Sequence, residues 1–509
     1  MPIAATARKN FYKDSVALMR IAQAVGSRPG LGRVSLLMGT PANKDILAQG
    51  GLLVPELVAA APADLMILVE GEAAALGPAL AAIDEQLAGR ETAAAGERAE
   101  SAPRSIAMGV DRLEHATLAQ ISVPGPYAAA EALKALKRGL HVFLFSDNVP
   151  LAEEQAIKRL AAKKGLLVMG PDCGTAIIGG VPLGFANAVR RGAIGVVGAS
   201  GTGMQEVTCR IHALGEGVSH AIGTGSRDVY EEIGGTTLLA GLDLLARDPA
   251  TRVIVIVSKP PSPTVADRAL AAARACGKPV VVLFLGAKLA GGGNIHPVAT
   301  LEDAAATAVS AARGEKVPVA KGASGALDAK LAAGQRFLRG LYSGGTYCTE
   351  AQYVWKDAGI ATWSNAPADR KFALPHGAPS RDHTAIDLGA DEFTVGRPHP
   401  MIDFTARTGR LLAEARDPSV AVIVLDVVLG YGANADPAGE LAPAVREARA
   451  IAARDGRDLV VLGFVCGTDD DPQGLAAQTA KLREAGMILA GGSTDAARLA
   501  ARVVSHRAS

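Results

Sequence analysis

One order of landmarks runs twice through this chain, and that duplication limits the folds open to it. The first copy holds the apolar run Ala193–Val197, the turn Gly198-Ala199-Ser200-Gly201-Thr202-Gly203, and a helical segment with Gln205 and Glu206. Asp248-Pro249 follows, then the runs Val253–Val257 and Val280–Leu285. The second copy holds Gly340-Leu341-Tyr342-Ser343-Gly344-Gly345-Thr346 and a helical segment with Glu350 and Gln352. Asp417-Pro418 and the runs Val420–Leu425 and Leu459–Phe464 complete it. Strand-length apolar runs joined through helices read as parallel βαβ units. Each copy therefore predicts a doubly wound α/β domain, at 190–313 and 334–505.

Upstream, the alternation continues. Leu118–Val123, His141–Phe145 and Leu166–Met169 read as strands, with helices at Tyr127–Arg138 and Leu151–Lys164. In parallel sheets ligands lie beyond the carboxyl ends of the strands. The loops there are Val123-Pro124-Gly125-Pro126, Ser146-Asp147-Asn148-Val149-Pro150 and Gly170-Pro171-Asp172-Cys173-Gly174, which together predict a cleft. Residues 1–88 alternate strands (Arg33–Met38, Leu65–Val69) with helices (Ser15–Val25, Glu72–Leu87) and predict a small α+β domain. Its loop Met38 to Lys44 reads either as a plain strand-to-helix connection or as a ligand-touching loop. The stretches 88–103 and 314–328 have no period and read as linkers. The expected architecture has four pieces: 1–88, 104–189, 190–313 and 334–505.

Composition agrees with this. At roughly 150 residues per domain, 509 residues suggest three or four domains. Hydrophobic residues make up 49% but aromatics only 4%, so the cores are aliphatic, and 58 glycines supply turns. The 52 Lys+Arg balance 51 Asp+Glu, which argues against a nucleic-acid or membrane-surface partner. No apolar run approaches the roughly 18 residues of a membrane helix, and residues 1–14 lack an apolar signal stretch. Cys173, Cys209, Cys276, Cys348 and Cys466 form no Cys-x-x-Cys pair. Reduced thiols, a cytoplasmic location and no metal are the expectations.

The two Ser-Gly turns carry the chemistry. A glycine-rich turn into a helix leaves backbone N–H groups unpaired at the positive end of the helix dipole, a site for phosphate or carboxylate. Ser200, Thr202, Ser343 and Thr346 add hydroxyl donors, although Ser and Thr are also ordinary caps. Two such turns at equivalent positions predict one doubly positive pocket. Cys173 reads as a turn cysteine more readily than as a nucleophile. Arg397 has the geometry to clamp an anion, with His399 beside it. Asp228 reads as a cap, and Asp469-Asp470-Asp471 as a solvated loop.

Residues 118–313 resemble the α-subunit of succinyl-CoA synthetase in VPGPY (123–127), the Asp147 to Pro150 turn, GPDCG (170–174), GVVGASGTGMQEV (195–207), GTGSRDV (223–229) and DPATRVIVIV (248–257). Residues 334–505 resemble the carboxy-terminal domain of its β-subunit. The resemblance implies a Rossmann-like CoA-binding domain followed by two flavodoxin-like domains. It places Ser200-Gly201-Thr202 and Ser343-Gly344-Gly345 at two helix starts that flank a phosphohistidine. Asp172, Cys173 and Gly174 then border the pocket. Val123, Pro124, Gly125, Asn148 and Val149 fall in a CoA site.

The departures are chemical. The phosphohistidine stretch reads GAKLAGGGNIHPVATLED, where the nearest histidine, His296, reads as a surface residue. Lys259 stands near the position of a synthetase glutamate, where it can hold an anion, and the ATP-grasp domain is absent from the sequence. With its NFYKDSVALM start and MGTPANKD loop, the chain more closely resembles the FdrA family of acyl-CoA-synthetase-like proteins. That resemblance implies an oxamate carbamoyltransferase-type activity in purine and ureide breakdown, with an acyl phosphate or carboxylate substrate and other subunits in an oligomer. An NDP-forming acyl-CoA synthetase needing a separate ATP-grasp subunit, and a non-catalytic CoA- or metabolite-binding regulator, are the other readings.

Overall fold

Strand Val253–Ser258 is buried along its whole length, because helices cover both faces of the sheet it lies in. That sheet has seven strands. In spatial order they are Ile295–Pro297, Val280–Phe284, Val253–Ser258, Arg191–Gly198, Val218–Gly223, Thr175–Ile178 and Val181–Gly184. The first five are parallel and run in the flavodoxin-like order 5-4-3-1-2. The last two form an antiparallel hairpin added at the edge. The second repeat builds an all-parallel sheet of Trp363–Ser364, Thr384–Asp387, Phe337–Tyr342, Val420–Val428, Val460–Cys466 and Ile488–Leu489. Leaving aside its edge strand at 363–364, it repeats the same order. A third parallel sheet joins Leu118–Ile121, His141–Leu144 and Val168–Met169.

The computed structural model describes every residue except 1, 12, 14, 27, 41–42, 45–46, 49–50, 89–102, 316–329, 395–397 and 506–509. The chain divides into two units, Met1–Glu114 with Thr394–Pro398, and His115–Phe393 with His399–Ser509. The first unit holds an antiparallel sheet with Leu65–Gly71 between Ile3–Arg8 and Leu31–Met38. The continuous run Leu65 to Val69 is buried on both faces. Ile67 and Val69 pack with Leu18, Val25 and Ile83, whereas Met66 and Leu68 pack with Leu47 and Leu57. In the Met38–Lys44 loop, Asn43 Nδ2 donates to the Met38 carbonyl and Lys44 Nζ to the Val58 carbonyl. Pro41 and Ala42 lie outside the described residues.

The repeats are tied together by polar groups the sequence does not pair. Glu206 and Glu350 occupy the sixth position of the helices Gly201–Ala213 and Gly345–Asp357. Glu350 accepts from the N–H of Leu301, which starts the last helix of the first repeat. Glu206 accepts from the N–H of Ser493, which starts the last helix of the second. Each repeat therefore caps the closing helix of the other. Asp228 is a cap, as its sequence position suggests, accepting from Thr237 and Leu238 at 3.0 and 2.9 Å. Asp471 departs from the solvated-loop expectation. It is buried, and its carboxylate is satisfied by Asn187 Nδ2 and the N–H groups of Ala188 and Thr468.

Candidate active site

The topological switch point of each repeat lies where strand 1 meets strand 3. In the first repeat, the Gly198–Ser200 turn and Lys259 end those strands; in the second, Ser343 and Asp426 flank the equivalent point. The two helices that leave these turns have no side-chain cap at Ser200 or Gly344. Ser200 instead places its Oγ 2.7 Å from Thr346 Oγ1, in the other repeat. Thr202 occupies the same helical position as Thr346 and packs on Gly344, where a Cβ would lie 2.7 Å from Thr202 Oγ1. Each threonine thus rests on the other helix's N-cap. The two positive helix ends converge, and Gly201, Thr202 and Gly345 remain partly accessible.

Ser343 departs from its expected role as a hydroxyl donor. Its N–H donates to Asp426 Oδ1 at 2.8 Å and its Oγ–H to Asp426 Oδ2. Asp426 is fully buried and needs those donors, with buried Arg407 as its ion-pair partner at 3.1 Å. The serine therefore faces the core and fixes the turn.

Two side chains frame the accessible helix start at Gly345. A Cβ there would lie 2.5 Å from Asp387 Oδ2 and 3.1 Å from Lys259 Nζ. The Lys259 ammonium is half-buried and, among the described residues, has no hydrogen-bond or ion-pair partner. Asp387 is 5% exposed, and its Oδ1 accepts from the Gly389 N–H at 3.0 Å. Burial pushes its pKa up, against the pull of the Lys259 charge.

His399 stacks on Phe185 with ring centroids 5.5 Å apart. Its Nδ1 accepts from the Met401 N–H at 3.2 Å. Burial and then the Arg407 charge hold its pKa down to about 4, so the ring is neutral near pH 7. With Nδ1 accepting, the proton sits on Nε2. A Cβ on Gly389 would meet that Nε2 at 3.0 Å, and Asp387 Oδ1 at 3.3 Å. Arg397 lies outside the described residues.

The three loops of the 118–174 segment come together. Ser146 Oγ donates to the Val123 carbonyl at 2.5 Å, and the Asp172 N–H donates to the Ser146 carbonyl at 2.9 Å. Gly125 packs against the Asp147 and Asn148 carbonyls, 2.5 and 2.6 Å from where its Cβ would stand. Pro124 precedes a helix start without a side-chain cap, Asn148 is exposed, and the Val149 carbonyl accepts from Arg227. Gly174 accepts from the Phe185 N–H at 2.7 Å. Asp172 keeps solvent access at a crowded rim. Loss of water around the carboxyl, with Asp147 adding repulsion, pushes its pKa up to about 6, opposed by Ser226 Oγ–H donating at 2.6 Å.

Cys173 does not border the pocket as a reactive or binding group. It is buried, its Sγ faces the Thr175 carbonyl at 3.5 Å, and burial pushes the thiol up to about 12. Cys173→Ala should cost about 1 kcal/mol of stability and leave anion binding unchanged, as urea unfolding and sulfate titration would measure. His296 is exposed on the edge strand, paired with Val281 near that strand's start and away from the carboxyl ends. Asp387 and Asp426 are the residues that sequence reasoning missed. Asp387 ends an apolar strand and Asp426 interrupts one, and only the sheet register brings them to the helix starts.

Uncharacterized protein YahF of Escherichia coli (strain K12) is 44% identical over 507 residues, covering 98% of each chain. The chain belongs to the YahF family. Its parts match family models described as CoA-ligase at 341–503, CoA binding domain at 189–286, and AllF, heavy metal-associated domain at 1–103. The ADP-forming sulfoacetate-CoA ligase subunit SauD of Bilophila wadsworthia (strain 3_1_6) is 30% identical over 151 residues, 28% of this chain and 50% of that protein. Among solved structures, the apo form of dinucleotide forming acetyl-coenzyme A synthetase 1 from Ca. Korarchaeum cryptofilum is 18% identical. The match covers 77% of this chain and 83% of that one with a TM-score of 0.32. The fold is mixed α/β with CoA-binding and CoA-ligase domains, and its enzyme class is acid–thiol ligase-like. Among the described residues, no helix is long and apolar enough to cross a membrane.

Residues 1–103, which match the heavy metal-associated domain model, contain neither cysteine nor histidine, so they offer such an ion no thiolate or imidazole and only methionine thioethers as soft donors. Elsewhere, among the described residues, His212, Asp469 and Asp470 bring ligand atoms within 4.8 Å of one another. Two of these are exposed carboxylates, and the His212 Nδ1 already accepts from the Arg190 N–H.

Proposed function

We propose that this protein handles an acyl phosphate where the two helix starts meet, as a cytoplasmic subunit of an oxamate carbamoyltransferase-type complex in purine and ureide breakdown. One observation carries the reading: two uncapped helix starts joined by the Ser200–Thr346 contact beside an unpaired Lys259. Each helix end carries about half a positive charge, and Lys259 adds a full one. Charge of this kind stabilises phosphate as it leaves an acyl carbon. Positioning does the rest. The neutral His399 offers an Nε2–H to the substrate, and Asp172 stands at the rim.

The resemblance to FdrA proteins supplies the acceptor, oxamate, and the partner subunits. The missing phosphohistidine motif argues for transfer over ATP-driven ligation. The CoA-ligase domain match and the likeness to a sulfoacetate-CoA ligase subunit favour a second reading, an NDP-forming acyl-CoA ligase with a separate ATP-grasp subunit. In either case CoA has a fitting place. The Gly125 N–H at the start of the Gly125–Lys137 helix and the exposed Asn148 would hold its phosphates, since Pro126 has no N–H and that of Tyr127 donates to the Pro124 carbonyl. Bound CoA supplies a thiol as acyl acceptor.

The protein with its co-encoded partners, given carbamoyl phosphate and oxamate, should release phosphate and form the N-carbamoyl product in equal amounts. Acid-labile label transferred from ATP to His296, with CoA-dependent ADP formation, would replace this reading with the second.

A further inference from the structure

We propose that Asp387 carries a proton into the anion site: a tetrahedral oxyanion at the Gly345 helix start accepts a hydrogen bond from protonated Oδ2, so binding takes up one proton. The inference rests on the anion-site reading above and adds the group that makes binding depend on pH.

Asp387 is 95% buried, the complement of its 5% exposure. Its Oδ1 is committed to the Gly389 N–H. Its Oδ2 has no hydrogen-bond partner among the described residues and points at Gly345. An anion seated on the free first-turn N–H groups must occupy the space that Oδ2 faces. Two negatively charged oxygens at that separation repel, whereas a carboxylic acid and an anionic oxygen form a short, strong hydrogen bond. Lys259 and the helix end attract both groups, so the proton is the remaining variable.

Cys348 and His399, near Asp387, each keep one protonation state near neutral pH. Cys348 on the helix stays a thiol, its pKa raised by burial. His399 stays neutral. Asp426, on the far side of strand Phe337–Tyr342, and Glu392 in the next helix add negative charge that favours the protonated acid. Asp172 and Asp147 lie at the rim, where Asp172 also titrates near 6.

Sulfate is the probe, because it carries no titrating proton near neutral pH. Calorimetric titration of the full chain should show sulfate Kd rising about tenfold per pH unit above the Asp387 ionisation. Buffers of different ionisation enthalpy should report uptake of one proton. Asp387→Asn keeps the acceptor for Gly389 and gains a neutral donor, so it should bind sulfate with no pH slope and more tightly than wild type at pH 8. Asp172→Asn should keep the slope. A flat wild-type profile, or a slope that survives in Asp387→Asn, overturns the assignment and leaves the anion site standing. No sulfate binding by either protein overturns both.

Discussion

Gly345→Ala is expected to weaken sulfate binding at least about a hundredfold, a loss of about 2.7 kcal/mol, while the protein stays folded. The added methyl would lie 2.5 Å from Asp387 Oδ2 and 3.1 Å from Lys259 Nζ, filling the space where an anion meets the helix. Relief requires Asp387 to swing away, which breaks its bond from the Gly389 N–H. The backbone itself accepts alanine. Gly345 opens an α-helix and is not among the positive-φ glycines, and alanine favours helix by up to about 1 kcal/mol over glycine. Gly201→Ala is the internal control. It stands at the equivalent helix start, but its nearest non-neighbour atom, Thr175 Oγ1, would be 3.4 Å away, an ordinary contact. Its sulfate Kd should change by less than about threefold. Equal losses in both variants would place the anion between the two helix starts and overturn its seat at Gly345 in particular.

That asymmetry could not be read from the sequence, where the two turns look alike. What could be read was whatever apolar periodicity dictates. Val253–Val257 and Val420–Leu425 are continuous aliphatic runs because both faces of their sheets are covered, and that pattern needs no tertiary knowledge. The strand Ile3–Arg8 escaped notice because it is a half-buried edge with alanines at its centre. The hairpin Thr175–Gly184 was also missed; it joins the first repeat's sheet from outside the 190–313 boundary. At the site, glycines and serines announce the turns but not the direction of a hydroxyl. Ser200 is the N-cap of its helix and bonds across the repeats, whereas Ser343 stands one residue before the Gly344 N-cap and turns inward onto the buried Asp426; the register puts Val257 at the matching place in the first repeat. Asp387 ends a strand reading Thr-Ala-Ile-Asp, and nothing local marks it. Its importance comes from pairing with Tyr342, which carries the chain toward Gly345.

Glu350→Ala should cost about 3–5 kcal/mol in urea unfolding, the largest stability loss expected from a single change here. The carboxylate accepts from the Leu301 N–H at 2.8 Å, Ser493 Oγ at 2.6 Å and Thr494 Oγ1 at 2.9 Å, all buried. Alanine would leave a helix start and two hydroxyls without partners at the seam between the repeats, next to the buried Glu206. Glutamine keeps an acceptor for Leu301 and should retain most of the stability. The pH dependence separates the two variants further. Burial pushes Glu350 up from its ordinary 4.5 to about 7, with Glu206 adding repulsion against the pull of its hydrogen bonds. The folded state therefore holds this proton more tightly than the unfolded state does. The stabilisation is fully present below about 4.5 and is lost as pH rises through about 7. Asp172, also raised, contributes in the same direction, so the informative quantity is the difference between Glu350→Gln and wild type. That difference should move in favour of the glutamine variant between pH 5 and pH 8. If it stays constant across that range, Glu350 remains ionised in the fold. If Glu350→Ala unfolds at the wild-type urea concentration, the reciprocal caps do not hold the repeats together.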